Sequence, residues 1–399
     1  MKRIYETTLK DHLDQYRQMI FVVGPRQVGK TTLCRSLFKD HSYFNWDDQG
    51  HRNILITGPD KVAEDIGVRQ IRAERHAIVL DEIHKYSKWK NFIKGLFDVY
   101  GEFLKIIVTG SSRLDVFKKG GDSLMGRYFL YRLHPLSISE ILRHQPGEKE
   151  ISSPVPVPPD VFDALYRFGG FPEPYLTASE RFSNKWKRLR KQQLFREDIR
   201  DFSRVQEIHQ IELLADMLAN QAGQLINYST LAVKINVSVD TIRRWINTLE
   251  SLYHCFIISP WSRNISRSLL KQPKVYLWDW SYITDPGQRA ENFVASHLLK
   301  AVNWWTDNGL GEYGLYFLRD KEKREVDFLI TKNNNPWILI EVKRGADKSP
   351  SRELYLFQNL TQAPYAFQLS FSLDYADVDC FSLKVPMVVP VSTFLSQIV

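Results

Sequence analysis

The residues best suited to chemistry begin in a glycine-bounded loop near the N-terminus. The loop and the two residues after it read Gly24-Pro25-Arg26-Gln27-Val28-Gly29-Lys30-Thr31-Thr32. Such a loop presents successive backbone N–H groups that can cradle a polyphosphate. We expect the Lys30 ammonium to reach the β- and γ-phosphates and the Thr31 hydroxyl to bind Mg²⁺. The pattern therefore predicts that residues 24–32 bind a nucleotide.

Two adjacent acids supply the second half of such a site. Asp81 and Glu82 follow the apolar run from Ala77 to Leu80. An apolar run of this length is typical of a buried parallel strand, whose carboxyl end is where α/β sheets place ligands. We expect Asp81 to hold the Mg²⁺ and Glu82 to polarise the attacking water. The glutamate indicates hydrolysis, because binding alone needs no base.

Other polar residues of this half of the chain have two interpretations each. Thr109 and Ser111 lie at the end of a strand predicted from Leu104 to Thr109, and either could sense a γ-phosphate. Ordinary turn chemistry explains each residue equally well. Arg127 fits an arginine finger or sensor that neutralises transition-state charge, and it fits a surface salt bridge equally well.

Acidic residues with a lysine also recur near the C-terminus. Asp327 lies in a strand predicted over Glu325–Ile330, and Glu341 and Lys343 lie in the strand predicted over Trp337–Lys343. The segment Asn333–Pro336 between them predicts a hairpin turn, so Asp327 and Glu341 should be neighbours. Glu291 lies upstream in a helix predicted from Arg289 to Trp305.

This C-terminal set fits a metal-dependent phosphodiesterase. Asp327 and Glu341 offer hard oxygens that suit Mg²⁺ or Mn²⁺, and Glu291 could add a ligand through water. Lys343 could orient or deprotonate the attacking water. The alternative is a nuclease fold that has lost its activity and serves as a docking or DNA-binding platform.

A capped amphipathic helix is predicted from Ser238 to Leu249. Apolar residues recur along it at helical spacing, and a short helix and a turn precede it. With the strand-like residues after Tyr253, the pattern predicts a winged helix-turn-helix. Such a module would direct Arg243 and Arg244 toward the DNA major groove. A packing role inside the ATPase is the alternative.

The elements that must position these residues change along the chain. Strand and helix signals alternate from Met19 to about Leu142, as in a doubly wound core. A stretch rich in proline, serine and charge, Pro146–Pro159, predicts a linker or a surface excursion. The predicted domains are a P-loop core (1–145), a helical lid (160–223), the winged helix-turn-helix (224–262) and a C-terminal α/β domain (285–399).

The ordered motifs resemble a family of prokaryotic ATPases. They are GPRQVGKTT, VLDEIHK, TGSSRL, LMGRY and LHPLSISE, followed by Gly169–Pro172 and Lys274–Asp279. The resemblance implies an α/β fold: an AAA+-like ATPase core with a C-terminal domain of restriction-endonuclease type. Similar proteins usually carry a small residue and glycine after Asp279, where this chain has Trp280-Ser281.

Composition bears on the partner of the protein and on its cellular compartment. The formal net charge of +8 is compatible with nucleic acid as a partner. Only three cysteines occur, without metal-ligand spacing, which fits a reducing cytoplasm. The sequence predicts neither a membrane-spanning segment nor a signal peptide. It predicts a cytoplasmic, ATP- and Mg²⁺-dependent ATPase whose cycle controls a module that binds nucleic acid, with DNA favoured. The alternative is an ATP-dependent switch that grips a protein partner or a second copy.

Overall fold

A computed structural model describes residues 1–68, 74–110, 124–143, 145, 147–199, 205–262, 272–345 and 348–399. The contacts of the backbone divide the chain into two compact units. We call Met1–His134 the N-terminal unit; the C-terminal unit comprises Pro135–Arg143 together with Gly147–Val399.

The N-terminal unit is a parallel α/β sheet with helices. Its described strands are β1 (Met19–Val23), β2 (His41–Asn45), β3 (His76–Asp81), β4 (Leu104–Gly110) and β5 (Tyr128–Arg132). Its described helices are α1 (Tyr5–Gln15), α2 (Lys30–Ser36), α3 (Gln49–Leu55), α4 (Pro59–Asp65) and α5 (Trp89–Tyr100). The strand order is β2-β3-β4-β1-β5, and every pairing is parallel. The predicted doubly wound core is therefore present.

Hydrophobic burial explains why these segments form the central strands. Every residue of β1, β3 and β4 is buried. Such strands are apolar along their length because helices cover both faces of a parallel sheet. Helix α5 contributes a stripe of large side chains at helical spacing, Trp89, Phe92, Ile93, Leu96, Phe97 and Tyr100. These residues join one core cluster with the side chains of Phe21, Ile78 and Ile106.

The C-terminal unit contains the remaining elements. The described helices are α6 (Ile138–Leu142), α7 (Pro159–Phe168), α8 (Pro172–Thr177), α9 (Glu180–Gln193), α10 (Val205–Ala219), α11 (Tyr228–Ile235), α12 (Val239–Ser251), α13 (Pro286–Asp307), α14 (Arg352–Thr361) and α15 (Val391–Gln397). The described strands are β6 (Cys255–Pro260), β7 (Lys274–Leu277), β8 (Tyr313–Arg319), β9 (Glu325–Lys332), β10 (Asn335–Lys343), β11 (Tyr365–Ser370) and β12 (Met387–Pro390).

One mixed sheet unites the strands of this unit. Its order is β12-β11-β10-β9-β8-β6-β7. The pair β9 and β10 is an antiparallel hairpin, as predicted, and Ile340 lies opposite Phe328. Strand β6 runs parallel to β8, so the strand after helix α12 belongs to the sheet of the C-terminal carboxylates. The predicted boundary between residues 224–262 and 285–399 therefore falls inside a continuous sheet.

The helix predicted from Ser238 to Leu249 is present as α12. The Ser238 side chain caps it by accepting a hydrogen bond from the Thr241 backbone N–H at 3.1 Å. Its apolar stripe is buried as the periodicity predicts, with Ile242, Trp245, Ile246 and Leu249 in the core. The preceding helix α11 ends at Asn236 in the left-handed conformation, which makes the predicted turn.

The proline- and serine-rich stretch is anchored to its own unit. The Trp305 indole donates to the Glu150 carbonyl at 3.1 Å, and the Ser152 backbone N–H donates to the Gln397 carbonyl at 2.9 Å. These bonds tie the stretch to α13 and α15. The stretch therefore packs as part of the C-terminal unit. Of the two predicted alternatives, this packing fits a surface excursion better than a free linker.

Length and polarity argue against a bilayer span in the described helices. None of them combines the length and the apolar composition that crossing a membrane requires.

A buried ion pair joins α6 to α13. The Lys300 ammonium donates to the Glu140 carboxylate and to the Pro135 carbonyl at 3.0 Å, and both charged side chains are almost fully buried. We predict that Lys300→Met lowers the free energy of unfolding by about 3–5 kcal/mol, because it removes the ammonium that pairs with the buried Glu140 carboxylate. Chemical denaturation measures this change.

A second substitution separates charge from packing in this prediction. Lys300→Met combined with Glu140→Leu should recover much of the lost stability, because no buried charge then remains. Arg167→Ala removes one partner of an exposed pair with Glu180 and should leave the stability close to wild type. A loss below about 1 kcal/mol in Lys300→Met would contradict the prediction.

Candidate functional site

The glycine-bounded loop connects β1 to α2 and is tightly enclosed. Gly24 has a φ of +156°, and a Cβ atom placed on it would lie 2.3 Å from the Leu133 carbonyl oxygen. Gly29 precedes α2 with a φ of +98°. Both positions therefore require glycine, the first for close backbone approach and the second for its dihedral angle. The loop also places Pro25 in a buried position beside Gly24.

Lys30 points back into the loop. Its ammonium donates to the carbonyl oxygens of Gly24 at 3.0 Å and Pro25 at 2.8 Å. Burial lowers the pKa of Lys30 to about 8, against the opposing effect of the Glu82 and Asp81 carboxylates. A phosphate at this position would supply the negative charge that favours the protonated amine.

The other loop residues differ in exposure. Val28 is buried, and its carbonyl accepts a hydrogen bond from the Arg3 guanidinium at 2.8 Å. Arg26 is half-buried, whereas Gln27 and Thr32 are exposed, and Gln27 has a φ of +61°. Arg3 thus holds the loop at Val28, whereas Gln27 of the same loop faces solvent.

Asp81 accepts hydrogen bonds from hydroxyls of three elements. Thr31 of α2 donates to its Oδ2 atom at 2.7 Å, Tyr43 of β2 donates to the same atom at 2.9 Å, and Thr109 of β4 donates to Oδ1. The adjacent Thr31 hydroxyl and Asp81 carboxylate are hard oxygens, which fit Mg²⁺. Thr31 and Asp81, which were each predicted to bind Mg²⁺, are therefore in direct contact.

Thr109, one of the two residues predicted to sense a γ-phosphate, contacts the acid. Its side chain is fully buried, and its hydroxyl is directed to Asp81. We conclude that it orients this carboxylate. The other predicted sensor, Ser111, lies outside the described residues.

Glu82 leaves the sheet in an unusual conformation. Its φ is +55°, and its backbone N–H donates to the Thr109 carbonyl at 3.0 Å. The Oε2 atom lies 3.6 Å from both His84 Nε2 and Lys85 Nζ. Lys85 in turn pairs with Asp47 at 2.6 Å. Glu82 is therefore next to Asp81, at the edge of the sheet where the glycine-bounded loop also begins.

Arg127 lies at the wrong edge of the sheet for a role on this nucleotide. Its carbonyl accepts from the Met19 backbone N–H at the start of β1, whereas the loop follows the end of β1. Five residues of strand span about 16 Å. Its guanidinium instead forms a two-pronged salt bridge with Asp98, at 2.7 and 3.0 Å. Of the two predicted roles, the salt bridge is the one that the structure shows.

The C-terminal carboxylates surround a lysine. Glu291 of α13 and Glu325 of β9 lie 3.1 and 2.6 Å from Lys274 Nζ, and Asp327 lies 3.8 Å from it. Tyr276 donates to Glu291 at 2.7 Å. Burial, the Glu291 charge and the more distant Glu341 charge raise the pKa of Asp327 to about 7, although the Lys274 charge opposes them.

The predicted neighbours Asp327 and Glu341 each lie next to the pair Phe328 and Ile340 of the β9–β10 hairpin. The Val342 backbone N–H donates to Asp327 Oδ2 at 2.9 Å. Glu341 pairs with Lys343 at 2.7 Å and accepts a hydrogen bond from the Ser351 hydroxyl. Each acid is therefore bonded to protein donors.

A metal site does not emerge from this arrangement. Among the described residues, no group of three or more His, Cys, Asp or Glu side chains is arranged to hold a metal ion. The predicted ligands Glu291 and Asp327 instead face the Lys274 ammonium. The residues present do not fit a divalent metal at this position.

The two arginines predicted to read DNA also contact the protein. The Arg243 guanidinium stacks over the Tyr228 ring, 4.3 Å from its centroid. Arg244 pairs with Glu207 at 3.3 Å, and 61% of its side chain is exposed. Both contacts fit the packing role, and the exposure of Arg244 leaves it accessible to a ligand.

Several residues of the two sites were not predicted from the sequence. Asp47 follows from the rule already applied to Asp81, because β2 is parallel to β3 and its carboxyl end lies at the same edge. Tyr43 lies in the middle of β2, where this rule does not apply. Lys274 and Tyr276 alternate on β7, which places them on one face. No sequence signal indicated that this face meets Glu291.

Comparison with protein families identifies the first part of the chain. Residues 16–142 match a family described as "AAA domain". This match supports the predicted AAA+-like P-loop core. Residues 160–284 and 286–391 match two families that are described as domains of unknown function (DUF8612 and DUF4143). These matches do not confirm the predicted restriction-endonuclease-like domain.

Similar proteins extend over most of the chain. An uncharacterized protein of Mycobacterium tuberculosis is 22% identical over 351 residues, covering 84% of this chain and 72% of its own. An uncharacterized protein of Methanocaldococcus jannaschii is 23% identical over 338 residues, covering 80% and 73%. Neither name describes an activity.

Solved structures show weaker likeness. A Walker-type ATPase of Pyrococcus abyssi has a TM-score of 0.41 at 13% identity, covering 70% of this chain and 93% of its own. AMPPCP-bound DnaA from Aquifex aeolicus has a TM-score of 0.31 at 13% identity, covering 61% and 86%.

The hydrogen bond from Thr109 to Asp81 generates a prediction. Thr109→Val keeps the volume but removes a donor to Asp81, so Mg²⁺-dependent nucleotide hydrolysis should fall roughly 10-fold or more. Phosphate release at saturating nucleotide measures the change. Thr57→Val, which removes an exposed hydroxyl bonded to the Ile54 carbonyl, is the matched control and should retain wild-type turnover. Equal turnover in the two variants would exclude an orienting role for Thr109.

Proposed function

We propose that the N-terminal unit binds ATP with Mg²⁺ and hydrolyses it, and that this cycle controls the C-terminal unit. The observation that carries the proposal is the 2.7 Å contact between the Thr31 hydroxyl and Asp81, formed beside a lysine that lies inside the glycine-bounded loop. The match of residues 16–142 to an AAA domain supports the same function.

Each side chain has a distinct task in this mechanism. The backbone N–H groups of the loop hold the phosphates, and Lys30 neutralises their charge after releasing the carbonyls of Gly24 and Pro25. Thr31 and Asp81 would hold Mg²⁺, which offsets the charge on the phosphate oxygens. Glu82 accepts the proton of the attacking water, because its carboxylate lies at the same sheet edge.

Nucleic acid is the partner that we propose for the C-terminal unit, with DNA favoured over RNA. The net charge of +8 belongs to the whole chain, and residues 135–399 carry 31 Lys and Arg against 30 Asp and Glu, so electrostatic attraction to phosphates would depend on local groups of basic residues in this unit. The exposed Arg244 in the middle of α12 supports a contact there, with Arg243 beside it. Such binding would respond to ATP turnover in the N-terminal unit.

A second candidate is an ATP-dependent switch that grips a protein partner or a second copy and cleaves nothing. Lys274 favours it, because an ammonium among the carboxylates replaces the metal on which cleavage would depend. Incubation with plasmid, linear duplex, single-stranded DNA and RNA, with Mg²⁺ or Mn²⁺ and with or without ATP, separates the two functions. Cleavage that Asp327→Ala, Glu341→Ala or Lys343→Ala abolishes would favour the nuclease.

The ATPase assignment predicts opposite effects on binding and turnover. Glu82→Gln should bind ATP as the wild type does but hydrolyse it at least 100-fold more slowly, because the amide cannot accept a proton. Lys30→Ala should lose binding, because the main counter-charge to the phosphates is removed. Fluorescent-nucleotide titration measures binding, and phosphate release measures turnover.

Arg127→Ala is the matched control for this pair of variants. It removes a positive charge from the far edge of the same sheet, so turnover should stay near wild type. Wild-type turnover in Glu82→Gln would refute the role of Glu82, while leaving ATP binding to be judged on Lys30→Ala.

The nucleic-acid proposal predicts an affinity that weakens steeply with salt. Arg243→Gln combined with Arg244→Gln should lower the affinity for duplex DNA. The salt slope should fall by about one for each phosphate that the variant no longer neutralises. The double variant Arg181→Gln and Arg188→Gln removes the same charge from exposed positions of α9 and is the control. Equal affinity in both double variants would assign α12 to packing.

A further inference from the structure

The most constrained charged group in the C-terminal unit is Lys274. Only 4% of its side chain is exposed, although it carries an ammonium group. A lysine this deep requires close counter-charges, because removing an ammonium from water is costly. The structure supplies them from two other elements, helix α13 and strand β9.

The counter-charges converge on one atom. Glu325 lies 2.6 Å and Glu291 3.1 Å from the Lys274 Nζ, with Asp327 at 3.8 Å. The Tyr276 hydroxyl donates to the Glu291 oxygen that also contacts the lysine, at 2.7 Å. We propose that Lys274 is the resident cation of this cluster and that it excludes a divalent metal from it.

The remaining bonds of the carboxylates strengthen this assignment. Glu325 pairs on its other oxygen with Arg319 at 2.5 Å, and Asp327 accepts from the Val342 backbone at 2.9 Å. The acids therefore have protein donors on more than one side. A divalent cation would have to enter against the Lys274 charge at a distance of a few ångströms, where repulsion is strong in a buried site.

Glu341, the third predicted metal ligand, is separately engaged by Lys343 and Ser351.

The functional consequence is that this cluster acts without a metal. The cluster lies on the helix and strands for which the sequence predicted hydrolytic chemistry. Its salt bridges instead hold α13, β7 and β9 together. This inference concerns the C-terminal unit alone and holds whether or not the N-terminal unit hydrolyses ATP. It places the second candidate function ahead of metal-dependent cleavage.

Mn²⁺ binding to the full chain tests the proposal. Electron paramagnetic resonance counts bound Mn²⁺ without nucleotide, in an Asp81→Asn background that weakens metal binding at the N-terminal site. In the chain that retains Lys274, the number of bound Mn²⁺ ions should be the same with and without Asp327→Asn. Lys274→Ala should gain one Mn²⁺ site that a further Asp327→Asn substitution removes. Lys332→Ala, which deletes a lysine of β9 bound to Glu150, is the control and should gain none.

Two further arms keep the test decisive if Lys274→Ala folds poorly. Lys274→Arg retains a cation and should bind no Mn²⁺ at this position. Thermal denaturation of Lys274→Ala should show a melting temperature that Mn²⁺ raises, with no such rise for the chain that retains Lys274. Two results with Lys274 intact would overturn the proposal. One is Mn²⁺ binding that Asp327→Asn removes, and the other is Mn²⁺-dependent DNA cleavage that Asp327→Asn removes. A folded Lys274→Ala that gains no Mn²⁺ site would overturn it as well.

Discussion

The carboxylate of Asp81 is the point on which the N-terminal unit depends. Parallel pairing aligns Asn45 with Asp81 and Asp81 with Thr109, so three strands end at one edge of the sheet. Hydroxyls from α2, β2 and β4 then reach the same side chain. A one-residue shift of any of these strands would turn its hydroxyl to the other face. The register of the sheet therefore determines the chemistry of the site.

The protein's own groups already balance the charges of this site. Lys30 is satisfied by loop carbonyls, and Asp81 is satisfied by hydroxyls, so neither buried charge lacks a partner. A nucleotide must replace these bonds with better ones. The exchange favours a ligand that brings both a phosphate for Lys30 and a cation for Asp81, because the cation also offsets the repulsion between the phosphate and the Asp81 carboxylate.

Local patterns predicted much of this protein, and long-range contacts set the limit. The loop of residues 24–32, the acids at 81 and 82, helix α12 and the β9–β10 hairpin each follow from a run of neighbouring residues. Tyr43 and Lys274 could not be placed in the same way, because their partners lie 38 and 17 positions away in sequence. Arg127 was ambiguous for the same reason: its edge of the sheet depends on the pairing of β5 with β1.

Lysine and acid occur together in both units with opposite consequences. In the N-terminal unit the Lys30 ammonium bonds to carbonyl oxygens, and the nearby Asp81 faces hydroxyls. Carbonyls and hydroxyls are neutral, so phosphate and metal can displace them without separating charges. In the C-terminal unit the Lys274 ammonium bonds directly to carboxylates. Displacing it would separate opposite charges in a buried place, which is far more costly. The group that each lysine bonds to therefore distinguishes the two sites. A lysine bonded to carbonyls can exchange them for a ligand, whereas a lysine bonded to carboxylates closes its site.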